Sequence, residues 1–350
     1  MKPRVLLGMS GGVDSSVAAM ILQERGYEVS GVSIMFFGDE NDAPDEQFRD
    51  AKLLAERLQI EHFTIDLRTE FKQKIIDYFT EEYKRGNTPF PCAKCNPEMK
   101  FHALEKYAEI RNCEYIATGH YARIKKANGK ESIFMGVDPD KDQSFFLWGL
   151  KPDLLKKLIF PLGEFTKKEI RNIASERGFH PLAHKKDSLG ICFIDGGDYR
   201  DFLKRNGVFT APGNFVDRNG NILGRHTGIA NYTIGQRRGL GIHLNYPVFV
   251  AEIRLEANEI VLAEFADLYR TKVGIKNIQI SDNQNYINRE GLSIKMHYRR
   301  GLTPCSLNIQ REGRAEVHLL KPEAMIANGQ TAVFYEGERL VGGGFIDWSE

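Results

Sequence analysis

Long hydrophobic runs are missing from this 350-residue chain: no stretch of about 18 apolar residues occurs, so the sequence offers no membrane-spanning helix. Cysteine is scarce. Five cysteines, an odd number, do not suit a secreted disulfide scaffold and point to reduced thiols inside a cell. Neither sign of charge dominates, because 48 basic residues face 47 acidic ones for a net of +1. That balance excludes a uniformly basic nucleic-acid coat protein and a highly charged disordered chain. Internal repeats and low-complexity tracts are absent as well. Met1-Lys2-Pro3-Arg4-Val5 runs directly into a strand pattern, so a leader peptide is not expected. The expectation is a cytoplasmic protein without membrane partners. At roughly 150 residues per domain it would form two or three domains, large enough to bury a core without disulfides or metals.

What is present alternates strand and helix signals. Val5-Leu6-Leu7 reads as a buried strand, Gly8 to Gly12 as a turn and Asp14 to Arg25 as a helix ended by Gly26. Val29–Phe37, His62–Ile65 and Tyr115–Ala117 read as further strands. Helical spacing joins Phe48, Ala51, Ala55 and Leu58, then Phe71, Ile75, Tyr78, Phe79 and Tyr83, then Phe101, Leu104 and Ala108. This order predicts an α/β domain with an open parallel sheet and helices on both faces, binding ligands beyond the carboxyl ends of its strands. Helical periodicity nearly vanishes past residue 205. Asn219-Gly220 marks a turn. Ile294, Met296 and Tyr298 alternate as in a strand, and Thr331–Tyr335 and Arg339–Ile346 flank a Glu336-Gly337 turn. The expected domains are 1–204, a small middle domain 205–270, and a C-terminal β-barrel-like domain 271–350.

The first strand runs into Gly8-Met9-Ser10-Gly11-Gly12-Val13-Asp14-Ser15-Ser16. Glycines admit a phosphate to backbone N–H groups, the following helix start adds partial positive charge, and serine hydroxyls add donors. Asp14 suits Mg²⁺, which prefers oxygen ligands. The segment is neither a Walker A motif nor G-x-G-x-x-G. A capped helix start with a flexible turn would explain a Gly-Gly pair, but not the whole motif directly after a strand.

Two cysteines lie in Thr88-Pro89-Phe90-Pro91-Cys92-Ala93-Lys94-Cys95-Asn96-Pro97-Glu98. Asn96 as N-cap and Pro97 as first helical residue would set Cys95 just before a helix start, beside Lys94. Both features favour a thiolate. C-x-x-C is also half of a metal site, and a cluster recruiting Cys92, Cys95 and Cys192 stays open. Cys113 and Cys305 read as small buried hydrophobes.

The glycine loop resembles the PP-loop of the N-type ATP pyrophosphatases, which cleave ATP between its α and β phosphates and attach AMP to an oxygen. Further motifs narrow the likeness: Cys95-Asn96 with Glu98 and Lys100-Phe101, Thr118-Gly119-His120-Tyr121, Lys141-Asp142-Gln143-Ser144, Lys185-Lys186-Asp187-Ser188, Gly190-Ile191-Cys192-Phe193-Ile194 and Gly235-Gln236-Arg237-Arg238-Gly239. With Tyr298-Arg299, Pro304-Cys305 and Gly329-Gln330 they run in order through nearly the whole chain, which is similar to the tRNA-specific 2-thiouridylases (the MnmA family). That resemblance implies conversion of the wobble uridine of tRNA to 2-thiouridine, with ATP and Mg²⁺, a tRNA, and a persulfide donor such as a cysteine desulfurase or relay protein. It implies catalysis by Cys95 and Cys192, the latter carrying the persulfide and the pair ending as a disulfide. Gly8, Met9, Ser10, Gly11, Gly12, Val13, Asp14 and Ser15 would hold ATP phosphates, and Ile34 and Gly119 would line the adenosine site. Phe90, Pro91, Cys92, His120, Lys141, Asp142, Gln143, Tyr298, Arg299 and Gln330 would meet the tRNA or its extruded base.

One position departs from the family. Many members read N-P-D where this chain has Phe90-Pro91-Cys92, so a thiol replaces an acid near the target base. Two other functions stay in view: a PP-loop synthetase acting on a small molecule, for which no amidotransferase segment is recognisable, and an Fe–S or zinc scaffold that binds RNA. For single residues the plainer readings are a strand-end role for His120, a solvated turn for Lys185-Lys186 and a core role for Phe145-Phe146-Leu147-Trp148. The charge is unevenly spread. Residues 141–245 hold 17 basic and 10 acidic side chains, a net of +7 and a seat for RNA phosphates if they share a face.

Overall fold

The computed structural model describes residues 2–38, 46–180, 190–194, 197–281 and 291–350, and the Lys185–Ser188 motif lies outside them. Among the described residues, no helix is long and apolar enough to cross a membrane. The chain divides into two compact units. The first holds Met1–Lys74, Cys92–Leu189 and Glu338–Leu340; the second holds Ile75–Pro91, Gly190–Gly337 and Val341–Glu350.

The first unit is built on β1 (Arg4–Gly8), β2 (Glu28–Met35), β3 (Glu61–Asp66) and β4 (Tyr115–Thr118). A hairpin, β5 (Ala122–Ala127) and β6 (Lys130–Met135), follows, and the short β7 (Leu158–Ile159) completes a parallel sheet of order β3-β2-β1-β4-β7. The alternation of side chains along β1 decides which helix lies where. Val5 and Leu7 face a core shared with helices Val13–Glu24, Glu46–Leu58 and Lys167–Glu176. Gly8 has its α-carbon turned to Leu104 of helix Phe101–Ile110, on the opposite face. Helices therefore cover both faces, as the strand–helix alternation requires. Helix Val13–Glu24 stops at Gly26, whose φ of +86° lets the Tyr27 N–H reach back to the Leu22 carbonyl at 3.1 Å. The β5–β6 turn uses Asn128 and Gly129 with φ of +51° and +76°, the type I′ geometry that matches strand twist.

In the second unit, β8 (Gly213–Val216), β9 (Ile222–His226), β10 (Phe249–Arg254) and β11 (Glu259–Ala263) form a four-stranded sheet of order β10-β11-β8-β9. Its β8–β9 turn is the expected Asn219-Gly220, held by the Asp217 carboxylate, which accepts from the N–H groups of Asn219 and Asn221 at 2.8 Å. A six-stranded barrel follows: β12 (Tyr269–Ile280), β13 (Leu292–Lys295), β14 (Thr303–Ile309), β15 (Ala315–Ala324), β16 (Thr331–Glu336) and β17 (Arg339–Ser349). The order β12-β15-β14-β13-β16-β17 closes through pairing of β12 with β17. Two bulges on β12 and close backbone approaches at Gly274, against Trp348, and at Gly344, against Ile275, let these long strands curve. The alternation expected to carry on to Tyr298 stops early. β13 ends at Lys295, and Tyr298-Arg299 lie in a turn.

Candidate active site

Chain order places a topological switch at β1. The chain leaves β1 for β2 and β3 on one side, then returns to β4 on the other. Ligands in open α/β sheets bind in the crevice this creates. The loop after β1 and the Thr118-Gly119-His120 segment after β4 both lie there. They touch closely enough that a Cβ on Gly119 would stand 3.1 Å from the Asp14 carbonyl carbon and the Ser15 nitrogen.

The loop is shaped for an anion. Gly11 takes φ of +69°, and Gly12 opens the helix with no side-chain cap, so the first-turn N–H groups remain for a ligand. The Ser15 and Ser16 hydroxyls donate to the Gly12 carbonyl at 3.2 and 2.8 Å, and the Ser10 N–H donates to Ser15 Oγ at 3.2 Å. The base of the loop is pinned from β2: the Met9 N–H donates to the Val32 carbonyl, and the Ser33 hydroxyl donates to the Met9 carbonyl at 2.8 Å. Ile34, one residue on, is half-buried at the same end of β2.

Asp14 has definite partners. Tyr121 Oη donates to it at 2.7 Å, and Lys167 Nζ lies 2.8 and 2.9 Å from its two oxygens. Sequence reasoning missed both residues. The signal for Lys167 was present. Thr166 and Glu169 form a capping box, which sets Lys167 at the first helical position, where the helix dipole disfavours a cation. The Lys167 side chain is only 10% exposed, so a buried cation at an unfavourable helix end marks a charge held for a purpose. Tyr121 also connects the Lys141-Asp142-Gln143 motif. Its N–H donates to Gln143 Oε1 at 3.0 Å.

His120 and Asp142 turn inward. The His120 ring lies against Phe101 and Phe160, with Nδ1 2.6 Å from Thr118 Oγ1, and burial holds its pKa well below the usual histidine value. The Asp142 carboxylate accepts from the N–H groups of Gly136 and Ser144 and from the Ser144 hydroxyl. Phe145, Leu147 and Trp148 are core, as their composition suggested.

The cysteine segment corrects an expectation. Helix begins at Pro91, runs through Cys95 and continues as a π-helical turn, Asn96–Lys100. Cys95 is in helical conformation, φ −62° and ψ −42°, rather than ahead of a helix start, and Asn96 is no N-cap. The physical reason lies in Pro97. Without an N–H, and with its ring against the preceding turn, it is accommodated by widening that turn rather than by starting a new helix. The Asn96 side chain meanwhile donates to the Cys92 carbonyl at 3.1 Å. Lys94 pairs with Glu98 at 2.6 Å, which takes up part of the charge expected to act on Cys95. Cys92 and Cys95 are half-buried in the first unit; Cys192, in the second, is exposed. The neighbouring Phe193 anchors it by packing on Phe79 and Phe202. Cys305 is buried in the barrel, its thiol pushed up to about 12 by desolvation. Among the described residues, no group of three or more His, Cys, Asp or Glu side chains is arranged to hold a metal ion.

The remaining expected residues divide between the units. Gln330, at the mouth of β16, donates through Nε2 to the Thr88 carbonyl at 2.7 Å and so braces the segment leading to Phe90 and Pro91. Tyr298 is half-buried, and Arg299, Arg237 and Arg238 are exposed.

Residues 3–196 match the tRNA methyl transferase HUP domain family, 200–264 the tRNA methyl transferase PRC-barrel domain and 270–346 the Aminomethyltransferase beta-barrel domain. The chain is 46% identical over 98% of its length, and 97% of the relative's, to tRNA-specific 2-thiouridylase MnmA 2 of Phocaeicola vulgatus. It is 45% identical to MnmA 1 of Bacteroides fragilis, over 99% of this chain and 98% of that one. The chain belongs to the tRNA-specific 2-thiouridylase family. The 2-thiouridylase MnmA of Carboxydothermus hydrogenoformans is 41% identical over 99% of this chain and 98% of that one. Although the domain families are described as methyl transferases, the full-length 2-thiouridylase relatives decide which family this is, because they span all three domains in order.

Proposed function

We propose that this protein is an ATP-dependent sulfurtransferase that converts the wobble uridine of tRNA to 2-thiouridine. The observation that carries the reading is the uncapped glycine loop at the sheet's switch point, flanked by Asp14 and Lys167, in a chain of the 2-thiouridylase family. The loop N–H groups and Ser10 and Ser15 would bind the ATP phosphates, with Ile34 and Gly119 beside the adenosine. Asp14 offers the hard oxygen donor that Mg²⁺ requires, and the ion would offset charge on the departing pyrophosphate. Lys167 is placed to trade its contact with Asp14 for a phosphate oxygen as that charge develops.

In this reading the uridine 2-oxygen attacks the α-phosphorus and pyrophosphate leaves. Cys192 carries the persulfide, delivered by a cysteine desulfurase or relay protein. The Cys95 thiolate attacks the Cys192 sulfur, hydrosulfide is released and adds to C2 of the base, and AMP departs with the former 2-oxygen. A Cys95–Cys192 disulfide remains, and an external thiol reductant returns both cysteines to thiols. Those steps suit a reducing cytoplasm. His120, Asp142 and Gln143 serve as positioning residues, through Thr118, Ser144 and Tyr121.

The test combines protein, ATP, Mg²⁺, a persulfide donor and tRNA, followed by nucleoside mass spectrometry. Formation of 2-thiouridine is expected. Its absence with an active donor would overturn the reading, and AMP formed with a small metabolite instead of tRNA would replace it with a synthetase. Cys192→Ser should abolish 2-thiouridine yet retain pyrophosphate release. Full thiolation by that variant would remove the persulfide assignment.

A further inference from the structure

Two cysteines of the first unit, Cys92 and Cys95, share the helix Pro91–Cys95. Residues three apart in a helix lie on one face, with Cβ atoms about 5–6 Å from each other. Helix geometry sets their Cα atoms about 5 Å apart, inside the range that disulfides take, about 4.4–6.8 Å. A disulfide draws the Cβ atoms in to about 3.8 Å, so a small local adjustment closes the pair. The backbone there can yield. The N–H groups of a first helical turn have no intrahelical partners, and Pro91 has no N–H at all. Past Cys95 the turn is already widened, because Asn96–Lys100 is π-helical. The buried Asn96 ties this turn to the core, donating through Nδ2 to the Cys92 carbonyl at 3.1 Å and to the Phe146 carbonyl at 3.3 Å.

Accessibility separates this pair from a core thiol. Cys305 is 1% exposed, as suits a small buried residue, whereas Cys92 and Cys95 are half-buried. Cys92 also stands where many family members carry the acid of N-P-D. A carboxylate cannot exchange with a disulfide, but a thiolate can. The substitution therefore adds a chemical step one helical turn from Cys95, the residue that ends the thiolation as a disulfide with Cys192.

We propose that Cys92 is the resolving thiol of the sulfur-transfer cycle. The Cys92 thiolate attacks the Cys95 sulfur of the Cys95–Cys192 disulfide. A Cys92–Cys95 bond forms, the Cys95–Cys192 bond breaks, and Cys192 leaves as a thiolate that takes up the proton Cys92 lost. One disulfide replaces another, so no net electrons are gained or lost. Cys192 can then accept the next persulfide. A dithiol reductant opens the Cys92–Cys95 bridge by two further exchanges and departs as its own disulfide. A neighbour on the same helix acts at an effective concentration of about millimolar or more, and a bridge that bends its helix is readily reduced. The proposal rests on the thiolation reading above, which supplies the Cys95–Cys192 disulfide.

The experiment uses the full chain under argon. Protein loaded with persulfide and separated from its donor receives ATP, Mg²⁺ and tRNA without reductant. The reaction is quenched in acid, thiols are alkylated, the disulfide is mapped by peptide mass spectrometry, and 2-thiouridine is counted. The persulfide is the sole oxidant, so one disulfide should form for each 2-thiouridine. In wild type it should join Cys92 to Cys95, with Cys192 alkylated in one portion and persulfidated again in another when the donor is returned. In Cys92→Ser it should join Cys95 to Cys192, and both the alkylation and the second loading of Cys192 should be lost. Wild type that ends as Cys95–Cys192 with Cys92 alkylated would overturn the proposal and leave the thiolation reading standing. That wild-type map decides alone should Cys92→Ser not fold. Intact tRNA left without 2-thiouridine would sink the thiolation reading and the resolving step with it.

Discussion

Lys167 and Asp14 face each other at 2.8 Å beside the glycine loop, each from a helix start. With Lys167 10% and Asp14 35% exposed, the attraction between them is largely offset by the cost of desolvating the ammonium, so the pair adds little net stability. In the proposed reading its value lies in a cation kept ready for the phosphates. Lys167→Met should therefore leave the fold intact and lower the rate of pyrophosphate release by about 10²–10³-fold, the usual loss when one electrostatic contact to developing charge is removed. Pyrophosphate release and melting temperature, measured together, separate the two effects; an unchanged rate would show that Lys167 only pairs Asp14. The loop residues were legible because glycine, serine and aspartate after a strand each have a backbone or donor reason to be there. Tyr121 was not, since a tyrosine after a strand is most often core, and it is indeed 2% exposed. Only the path of β5 brings its hydroxyl to Asp14.

At the scale of elements, the helix carrying Lys167 starts with a full capping box. Thr166→Ala should cost about 1 kcal/mol and loosen the first turn that presents Lys167. Urea unfolding would show a lower midpoint, and a midpoint equal to wild type would mean the cap is replaced locally. The cysteine helix shows why element boundaries resist reading. Asn-Pro is a common helix start, and the sequence pattern obeys it at Asn96-Pro97. The observed helix begins earlier, at Pro91, because a second proline there also suits a first turn and the π-helical turn absorbs the one at Pro97. In the barrel, Gly274 lies against the Trp348 ring, closer than any Cβ tolerates. Gly274→Ala should push the indole out and destabilise by about 1–3 kcal/mol, visible as a Tm drop and a red-shifted tryptophan emission. An unshifted emission would mean the strand, rather than the ring, yields.

For the molecule as a whole, four histidines in different places respond alike to pH. His62, His120, His226 and His297 all have pKa values lowered chiefly by burial. The unfolded chain binds protons on them at about pH 6.5, while the folded chain resists. Their contribution is thus complete above about pH 6.5 and declines as pH falls below it toward the folded values. The denaturation midpoint should drop between pH 7.5 and pH 5.5, and His120→Asn should flatten that slope; an identical slope would exclude His120 as a source. The sequence by itself determined the class of the first unit, the glycine loop between its first strand and helix, and the last hairpin. These depend on local periodicity, turn geometry and residue type, which neighbours in the chain carry. Tertiary structure alone decided the strand order that creates the switch point, the closure of the barrel through β12 and β17, and the pairing of Asp14 with Lys167. Each joins segments far apart in sequence, and long-range contacts are set by packing that no local pattern encodes.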